Sequence, residues 1–241
     1  MTDRSLVSII IPTLNEEAVV ADTLEHLHHQ PGPTQLLVVD GGSTDGTRER
    51  ARAAGASVLE GPRGRGTQLN RGAAAAEGPY LLFLHADTVL PPNGLSLIRR
   101  TLSRPSVGAG TFQLRFDTQS PLLRFYAWCT QWPWIRLCFG DRGLFATRAA
   151  FEAVGGYPEW PLFEDLELAH RLYEHGGFRF LDAAVTTSAR RFQRNGVLRQ
   201  QLRNFYLWLH YVTGADPERV AHLYRYPTDD TAEHSPAKTP D

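Results

Sequence analysis

The chain has 241 residues, 42% of them hydrophobic and 21% charged, a composition typical of a globular protein with a packed core. Its formal net charge of -1 creates no global field that would recruit nucleic acid, so we expect no nucleic-acid partner. Cys129 and Cys138 fit no zinc or redox spacing, and we expect a reduced, cytoplasmic setting. No apolar run reaches the roughly 18 residues of a spanning helix, and we expect no signal peptide.

The first half of the chain alternates strand-like and helix-like segments. Apolar runs predict strands at Leu6–Ile11, Leu36–Val39, Ser57–Leu59 and Tyr80–Leu84. Helices are predicted from an N-cap at Asn15 to about His29, after the turn that ends at Thr47, and over Gln68–Glu77. This rhythm is typical of the α/β class, with a mostly parallel sheet flanked by helices.

The second half is less regular. We predict helices over Asn93–Leu102, part of Pro121–Phe139, Glu164–Glu174, Asn195–Val212 and Pro217–Tyr224, and strands over Gly110–Phe116 and Gly143–Thr147. The polar, proline-containing stretch 227–241 predicts a disordered tail.

Polar segments follow the first two predicted strands. One runs from Pro12 to Glu17, and the other from Asp40 to Thr47. An acid at the carboxyl end of a parallel strand can accept hydrogen bonds from a base or a ribose hydroxyl, as in dinucleotide folds. The alternative for the second segment is a simple strand–turn–helix with Thr44 as N-cap.

The loop Gly61–Gly72 is rich in glycine and arginine before a predicted helix. Backbone donors, the helix dipole and the guanidinium groups of Arg63 and Arg65 together suit an anion. The alternative is an ordinary solvated surface loop.

A lone carboxylate, Asp87, follows the apolar strand Tyr80–Leu84. Such an acid suits a hard divalent cation that holds a diphosphate. The alternative is a turn or cap residue before Pro91, and nearby His85 is more often a structural hydrogen-bonding residue than a metal ligand.

Glu164 and Asp165 open a predicted helix. The helix dipole there favours ionised carboxylates, which suits a base that deprotonates an attacking hydroxyl. The alternative is charge decoration of a helix end.

Taken in order, these segments resemble the family-2 inverting glycosyltransferases with the GT-A fold. The resemblance rests on Pro-Thr-x-Asn-Glu, Val-Asp-Gly-Gly-Ser-Thr-Asp-Gly-Thr, the Arg/Gly loop, the Asp-ended strand and the Glu-Asp pair, and covers about Ser5 to Phe192. It implies one Rossmann-like GT-A domain over 1–226. The domain would comprise a nucleotide-binding half (about 1–90), an acceptor half (about 91–192) and C-terminal helices (about 195–225).

The resemblance also implies residue roles. Asp165 resembles the catalytic base, and Asp87 the last acid of the Asp-x-Asp motif, which holds Mn²⁺ or Mg²⁺ on the donor diphosphate. The acceptor side would include Gly140, Asp141, Arg142, Glu164, Arg190 and Arg191. The donor nucleotide would be bound by Pro12, Thr13, Asn15, Glu17, Asp40, Arg63, Arg65, Asn70, His85 and Ala86.

Two departures from the family pattern matter. His85 stands where the first acid of the Asp-x-Asp motif would be, which bears on metal affinity. The Gln-x-x-Arg-Trp motif of processive polymer synthases is absent from the sequence, and Thr187–Phe192 stands there instead. We therefore expect transfer of a single sugar. The segments His85–Thr88, Gly140–Phe145 and Ser188–Phe192 resemble a bacterial subgroup associated with radical-SAM/selenodomain genes and arsenosugar biosynthesis.

The expected activity is metal-dependent, inverting transfer of one sugar from a UDP- or GDP-sugar to a hydroxyl of a small-molecule or lipid-phosphate acceptor. One alternative is a sugar nucleotidyltransferase, which would release pyrophosphate. Another is a binding module that has lost its chemistry at His85.

An aromatic segment runs from Phe125 to Phe139. Core or dimer packing is the simpler interpretation. The alternative is contact with an acceptor or with the inner face of a membrane that carries a polyprenyl phosphate, since Trp and Tyr favour such interfaces. Arg190, Arg191 and Arg194 would then face the lipid phosphate. The helix Asn195–Val212 offers a docking face for a homodimer.

Overall fold

The apolar runs of the first half form parallel strands that continue into a larger sheet. The computed structural model describes residues 4–135, 138 and 140–215. Its eight-stranded mixed sheet has the order β3-β2-β1-β4-β7-β6-β8-β5. The strands are β1 Val7–Thr13, β2 Thr34–Asp40, β3 Ser57–Glu60, β4 Tyr80–Phe83, β5 Thr88–Val89, β6 Ala109–Phe116, β7 Leu144–Thr147 and β8 Phe178–Thr187.

The expected mostly parallel α/β sheet is confirmed. Strands β3, β2, β1 and β4 are parallel neighbours, with Thr13 of β1 beside Asp40 of β2. Strand β7 then runs antiparallel to β4, and β6 pairs with β7 and β8. The second half of the chain therefore extends the same sheet instead of forming a separate unit.

Helices cover the sheet. They are α1 Val20–His28, α2 Thr47–Ala53, α3 Arg65–Ala75, α4 Gly94–Leu102, α5 Pro121–Cys129, α6 Arg148–Ala153, α7 Glu164–His175, α8 Arg190–Asn195 and α9 Val197–Val212. A 3-10 turn covers Gly140–Arg142. Within the described residues, no helix combines the length and apolar content needed to cross a bilayer. The predicted helix Pro217–Tyr224 and tail 227–241 lie outside the described residues.

Several predicted boundaries were wrong. Asn15 does not cap the first helix, which begins at Val20, because Asn15 adopts a left-handed backbone (φ 55°). Helix α3 begins at Arg65, earlier than expected, so this arginine belongs to the helix. The predicted helix Asn195–Val212 begins two residues later, at Val197 of α9 after Gly196 (φ 79°), and the short helix α8 before it was not predicted. Strand β8 was not predicted at all.

The core lies on both faces of the sheet because successive strand residues alternate sides. Ile9 and Ile11 of β1 pack on one face, and Ile10 packs on the other. On that second face α3 approaches the sheet closely at Gly72, where a Cβ atom would overlap Ile10 Cγ2 and lie 3.0 Å from Val39 Cγ2. Gly72 is therefore fixed by packing.

Replacing Gly72 with alanine tests this close approach. Gly→Ala in an open helix stabilises by about 1 kcal/mol. Here we expect a net loss of about 1–3 kcal/mol in the free energy of unfolding, because the methyl group overpacks the α3–sheet interface. Urea unfolding measures the change. The control Ala74→Ser, on the exposed side of α3, should change stability by no more than about 0.5 kcal/mol. A stabilised Gly72→Ala protein would refute the packing.

Candidate active site

The loops after β1 and β2 bind each other at the carboxyl edge of the sheet. The Asn15 Oδ1 atom accepts a hydrogen bond from the Thr44 N–H at 2.9 Å, and the Asn15 N–H donates to Ser43 Oγ at 2.9 Å. The Glu17 carboxylate accepts from the Gly46 N–H at 3.1 Å. Asn15 and Glu17, both predicted donor contacts, therefore hold two segments of one cleft wall together.

Asp40 lies at the end of β2 and is fully buried. Its Oδ1 atom accepts from the N–H groups of Gly42 and Ser43 at 3.2 and 2.9 Å. Its Oδ2 atom accepts from Thr13 Oγ1 at 3.2 Å and from the Ser43 hydroxyl. These bonds give Asp40 a structural task, which is to shape the turn beside β1. Its contact with a nucleotide base stays a prediction.

Two polar side chains of α3 fix the strand ends and the loop before α7. The buried Gln68 amide donates to the carbonyls of Thr13 (3.0 Å) and Val39 (2.7 Å). Asn70 makes a reciprocal pair with the Tyr157 backbone, both bonds 2.9 Å long. The structural role of Gln68 was not predicted, because a glutamine near a helix start carries no signal of its distant partners.

Asp87 lies beyond β4, where Arg190 of α8 approaches it. Its carboxylate is partly exposed, with Arg190 Nη2 3.9 Å from Oδ2 and Thr187 Oγ1 3.5 Å from Oδ1. The same Arg190 nitrogen lies 2.9 Å from Glu16 Oε2, in the loop after β1. Arg190 therefore joins the donor-side loop to Asp87.

The other residues of the Asp87 segment differ in exposure. His85 is half-buried, whereas Ala86 is buried and its carbonyl accepts from Thr23 Oγ1 at 2.6 Å. Pro12, at the end of β1, is half-buried. Arg63 is exposed on the loop before α3. The side chain of Arg191 lies outside the described residues.

The 3-10 turn Gly140–Arg142 brings an acid into the interior. Arg142 is 1% exposed and donates to the carbonyls of Phe112 (2.9 Å) and Thr130 (3.0 Å), so it fixes the turn from within. Its expected place on the acceptor side stays a prediction. Asp141 beside it has a buried Oδ1 atom with no hydrogen-bond partner.

Arg65, the first residue of α3, binds both acids at the start of α7. Its Nε atom lies 3.2 Å from Glu164 Oε1, and its Nη1 atom donates to Asp165 Oδ2 at 3.0 Å. Glu164 and Asp165 are buried, whereas the Arg65 side chain is about one-third exposed. A single partly exposed cation thus compensates two adjacent buried carboxylates.

The pKa of Asp165 is raised to about 7, first by burial and then by the neighbouring charge of Glu164, while Arg65 opposes both effects. We expected the helix dipole to keep this acid ionised, but burial is the larger effect. The pKa of Asp141 is likewise raised to about 6, chiefly by burial. The positive charges of Arg142 and Arg65 lower this pKa, and the negative charge of Asp87 raises it. Asp87, Asp141 and Asp165 therefore share one electrostatic environment.

The Asp87 region offers donors suited to a cation that arrives with a phosphate ligand. Among the described residues no three His, Cys, Asp or Glu side chains form a group that could hold a metal ion alone. Asp87 is a partly exposed carboxylate whose charge also acts on Asp141. Mg²⁺ and similar ions are commonly held by one or two carboxylates plus substrate phosphates and water. The residues fit that mode.

Comparison with known proteins identifies the class. The sequence profile described as Glycosyl transferase family 2 matches residues 8–147, more than half of the chain. The chain therefore belongs to glycosyltransferase family 2. A probable glycosyltransferase, YdaM of Bacillus subtilis, is 27% identical over 216 residues, which cover 77% of this chain and 51% of YdaM. The chain spans about half the length of this relative.

Solved structures show the same architecture. The mannosyltransferase PcManGT from Pyrobaculum calidifontis, in complex with GDP-Man and Mn²⁺, has a TM-score of 0.63 at 23% identity, over 76% of this chain and 56% of that one. Glucosyl-3-phosphoglycerate synthase from Mycobacterium tuberculosis, with Mn²⁺, UDP and glucosyl-3-phosphoglycerate, has a TM-score of 0.60 at 22% identity, over 88% and 81%. These likenesses confirm the expected GT-A fold.

Replacing Asp40 with alanine separates its structural task from any contact with nucleotide. Without ligand, we expect the free energy of unfolding to fall by about 1–3 kcal/mol, because the buried donors of Ser43 and Thr13 lose their acceptor. Urea unfolding of the ligand-free protein measures it. The exposed Asp22 in α1 is the control, and Asp22→Ala should change stability by no more than about 0.5 kcal/mol. An Asp40→Ala protein of undiminished stability would contradict the structural role.

Proposed function

We propose that this protein is an inverting glycosyltransferase that moves one sugar from a UDP- or GDP-sugar to an acceptor hydroxyl, with a divalent metal. The observation that carries the proposal is the pair Glu164–Asp165, buried at the start of α7 and bound by Arg65. The charge of Asp141 acts on Asp165, and the charge of Asp87 acts on Asp141. The proposed base and the proposed metal ligand therefore act on each other's surroundings through Asp141.

Asp165 is the proposed catalytic base. Its carboxylate accepts the proton of the acceptor hydroxyl while the oxygen forms a bond to the anomeric carbon. The bond from that carbon to the diphosphate breaks, and the electron pair leaves with the nucleoside diphosphate. A pKa of about 7 suits this role, because a base titrating near the working pH both remains available and accepts a proton readily.

Arg65 connects the two halves of the reaction. Its guanidinium group lies at the start of α3, where free backbone N–H groups and the helix dipole favour an anion. In the proposed mechanism it is shared between the carboxylate pair and the donor diphosphate. If Arg65 turned from Asp165 toward the bound diphosphate, the pKa of Asp165 would rise. Asp165 would then be a stronger base once donor is bound.

The donor and metal assignments draw on relatives. PcManGT was solved with GDP-Man and Mn²⁺, and the M. tuberculosis synthase with UDP and Mn²⁺. In this chain Asp87 would hold Mn²⁺ or Mg²⁺ together with the diphosphate, and the bound metal would neutralise charge on the leaving group. Pro12, Thr13, Asn15 and Glu17 would form the nucleotide wall, with Arg63, Asn70, His85 and Ala86 around it.

The acceptor side is proposed to lie between the 3-10 turn and α8. Asp141 there has an unpartnered buried oxygen, and Arg190 and Arg191 open α8. A sugar hydroxyl or an acceptor phosphate fits these groups. The role in arsenosugar-type biosynthesis implied by the family subgroup stays a prediction about the acceptor.

Thermal stabilisation by nucleoside diphosphates tests the donor site. UDP, GDP, CDP, dTDP and ADP are each added with Mn²⁺ and again with EDTA. We expect selective stabilisation by UDP or GDP that EDTA abolishes, and Asp87→Asn should lose the metal-dependent part. The released product then distinguishes the alternatives, because a glycosyltransferase releases the nucleoside diphosphate and a nucleotidyltransferase releases pyrophosphate. Stabilisation by none of the five would favour the degenerate binding module.

Asp165→Asn tests the base assignment. We expect kcat to fall by about 10²–10⁴-fold, since the amide cannot accept the proton, while thermal stabilisation by the donor diphosphate persists. Steady-state kinetics with the donor identified above measures the loss. Near-normal turnover in this variant would eliminate Asp165 as the base.

The pH dependence tests the coupling to Arg65. The base must be deprotonated, so kcat should fall as the pH drops through about 7. Arg65→Leu removes the cation that lowers the pKa of Asp165, so the acidic limb of the kcat–pH profile should move to higher pH. For each pH unit of this movement, kcat at neutral pH should fall about tenfold. Arg63→Leu, which alters the exposed arginine two residues earlier, should leave the limb in place. An unmoved limb in Arg65→Leu would contradict the coupling.

A further inference from the structure

Two neighbouring segments of the second half expose large apolar side chains to solvent. Of the twelve large apolar side chains exposed in the described part of the chain, ten belong to α5, the turn after it, and α9. Their exposed fractions range from 37% to 64%. We call this set the aromatic face: Leu122, Phe125, Trp128, Trp132, Trp134, Leu198, Leu202, Phe205, Tyr206 and Leu209. Contacts between α5 and α9 make it one surface.

Helix α9 has its amphipathic pattern reversed. Leu198, Leu202, Phe205 and Leu209 follow the spacing of one helical stripe, yet this stripe is exposed. The polar Gln200 is buried instead, where it donates to Asn204 Oδ1 at 2.7 Å and accepts from Arg203 at 3.1 Å. Only Leu207 among the apolar residues of α9 is buried beside Gln200, so most of the apolar side chains of this helix face away from the protein and suit an apolar surface outside it.

Helix α5 and its following turn continue the pattern. The rings form a chain of contacts, with centroids 5.9 Å apart for Phe125–Trp128, 6.2 Å for Trp128–Trp132 and 6.4 Å for Trp132–Trp134. Leu123, on the opposite side of α5, is fully buried. The exposed rings are therefore a second outward stripe, and tryptophan is the side chain most typical of the boundary between lipid and water.

The charge of these segments identifies the occupant. The chain has 26 acidic and 25 basic residues, yet 118–140 and 183–215 contain no Asp or Glu. These two ranges carry seven arginines: Arg124, Arg136, Arg190, Arg191, Arg194, Arg199 and Arg203. Of the arginines whose side chains the structure describes, Arg124 and Arg199 are exposed, so this apolar, aromatic face carries positive charge and its segments carry no acid. Such a surface matches an anionic bilayer. A second copy of the chain fits less well, because a symmetric dimer would set the same basic patch against itself.

We propose that the aromatic face docks this protein on an anionic lipid bilayer, with α9 lying in the plane of the headgroups. At 16 residues this helix is about 24 Å long, which suits a helix that lies on a membrane. The exposed Arg124 and Arg199 contact lipid phosphates, and the tryptophans enter the headgroup region.

Docking there would bring the catalytic cleft to the membrane, a consequence that rests on the proposed function. Tyr211 of α9 stacks on Phe163 at 4.9 Å and donates to Glu167 Oε2 at 3.2 Å. Phe163 directly precedes Glu164 and Asp165. On the same side, Arg190 of α8 lies 3.9 Å from Asp87. A lipid-phosphate acceptor held at the surface would therefore meet the base without leaving the membrane.

Flotation of the full chain with vesicles tests the docking. We expect binding to vesicles of phosphatidylcholine mixed with phosphatidylglycerol, and much weaker binding to phosphatidylcholine alone. The variant Leu202→Ser/Phe205→Ser/Leu209→Ser should bind the mixed vesicles about tenfold more weakly or worse, and so should Arg199→Glu. The controls Tyr173→Ser and Arg104→Glu replace exposed residues outside the aromatic face and should bind like the unaltered protein.

Three outcomes would overturn the proposal. One is absence of vesicle binding together with a dimer in light scattering that the triple serine variant abolishes, which would assign the face to a second copy. Another is vesicle binding only after removal of 216–241, which would assign the face to that segment. The third is equal binding of the triple variant and the unaltered protein. Donor stabilisation should persist in the triple variant, so failure of the glycosyltransferase proposal is measured separately from failure of docking.

Discussion

The ion pairs of Arg65 with Glu164 and Asp165 are the interaction on which the proposed site depends. Two adjacent carboxylates buried at one helix start repel each other and lose hydration, and both effects favour protonation. Arg65 offsets them from another element, α3, at 3.0–3.2 Å. The start of α3 is also part of the segment expected to bind the diphosphate. The protonation of Asp165 and the binding of the donor are therefore physically linked through Arg65.

Contacts elsewhere in the fold hold Arg65 beside the two carboxylates. Gln68 ties α3 to the ends of β1 and β2, and Asn70 ties it to the loop that leads into α7. Gly72 lets the helix approach the sheet closely. Arg65 is therefore carried on a helix fixed at several points, so its placement beside Asp165 is set by packing. On the other side, Arg190 joins Glu16 to Asp87, and α9 packs on α7.

The sequence was most informative where one segment carries its own signal. The parallel strands of the first half were predicted from apolar runs, and the acids Asp40, Asp87 and Asp165 from their positions after strands or at a helix start. Prediction from the sequence failed where a side chain binds a residue that is remote in the chain. Nothing local shows that Asn15 binds Thr44, that Arg142 is buried against Phe112, or that Arg65 spans one hundred residues to reach Asp165. Strand β8 was missed because its sequence mixes polar and apolar residues without a clear alternation, and its partners β6 and β5 are remote in the chain.

A crystal structure with Mn²⁺ and the diphosphate that stabilises the protein most would show whether Arg65 links the proposed base to the donor site. We expect a diphosphate beside Asp87, with the Arg65 guanidinium within hydrogen-bond distance of a phosphate oxygen and Asp165 facing the open acceptor side. A diphosphate bound away from Asp87, with Arg65 still paired only to Glu164 and Asp165, would contradict it.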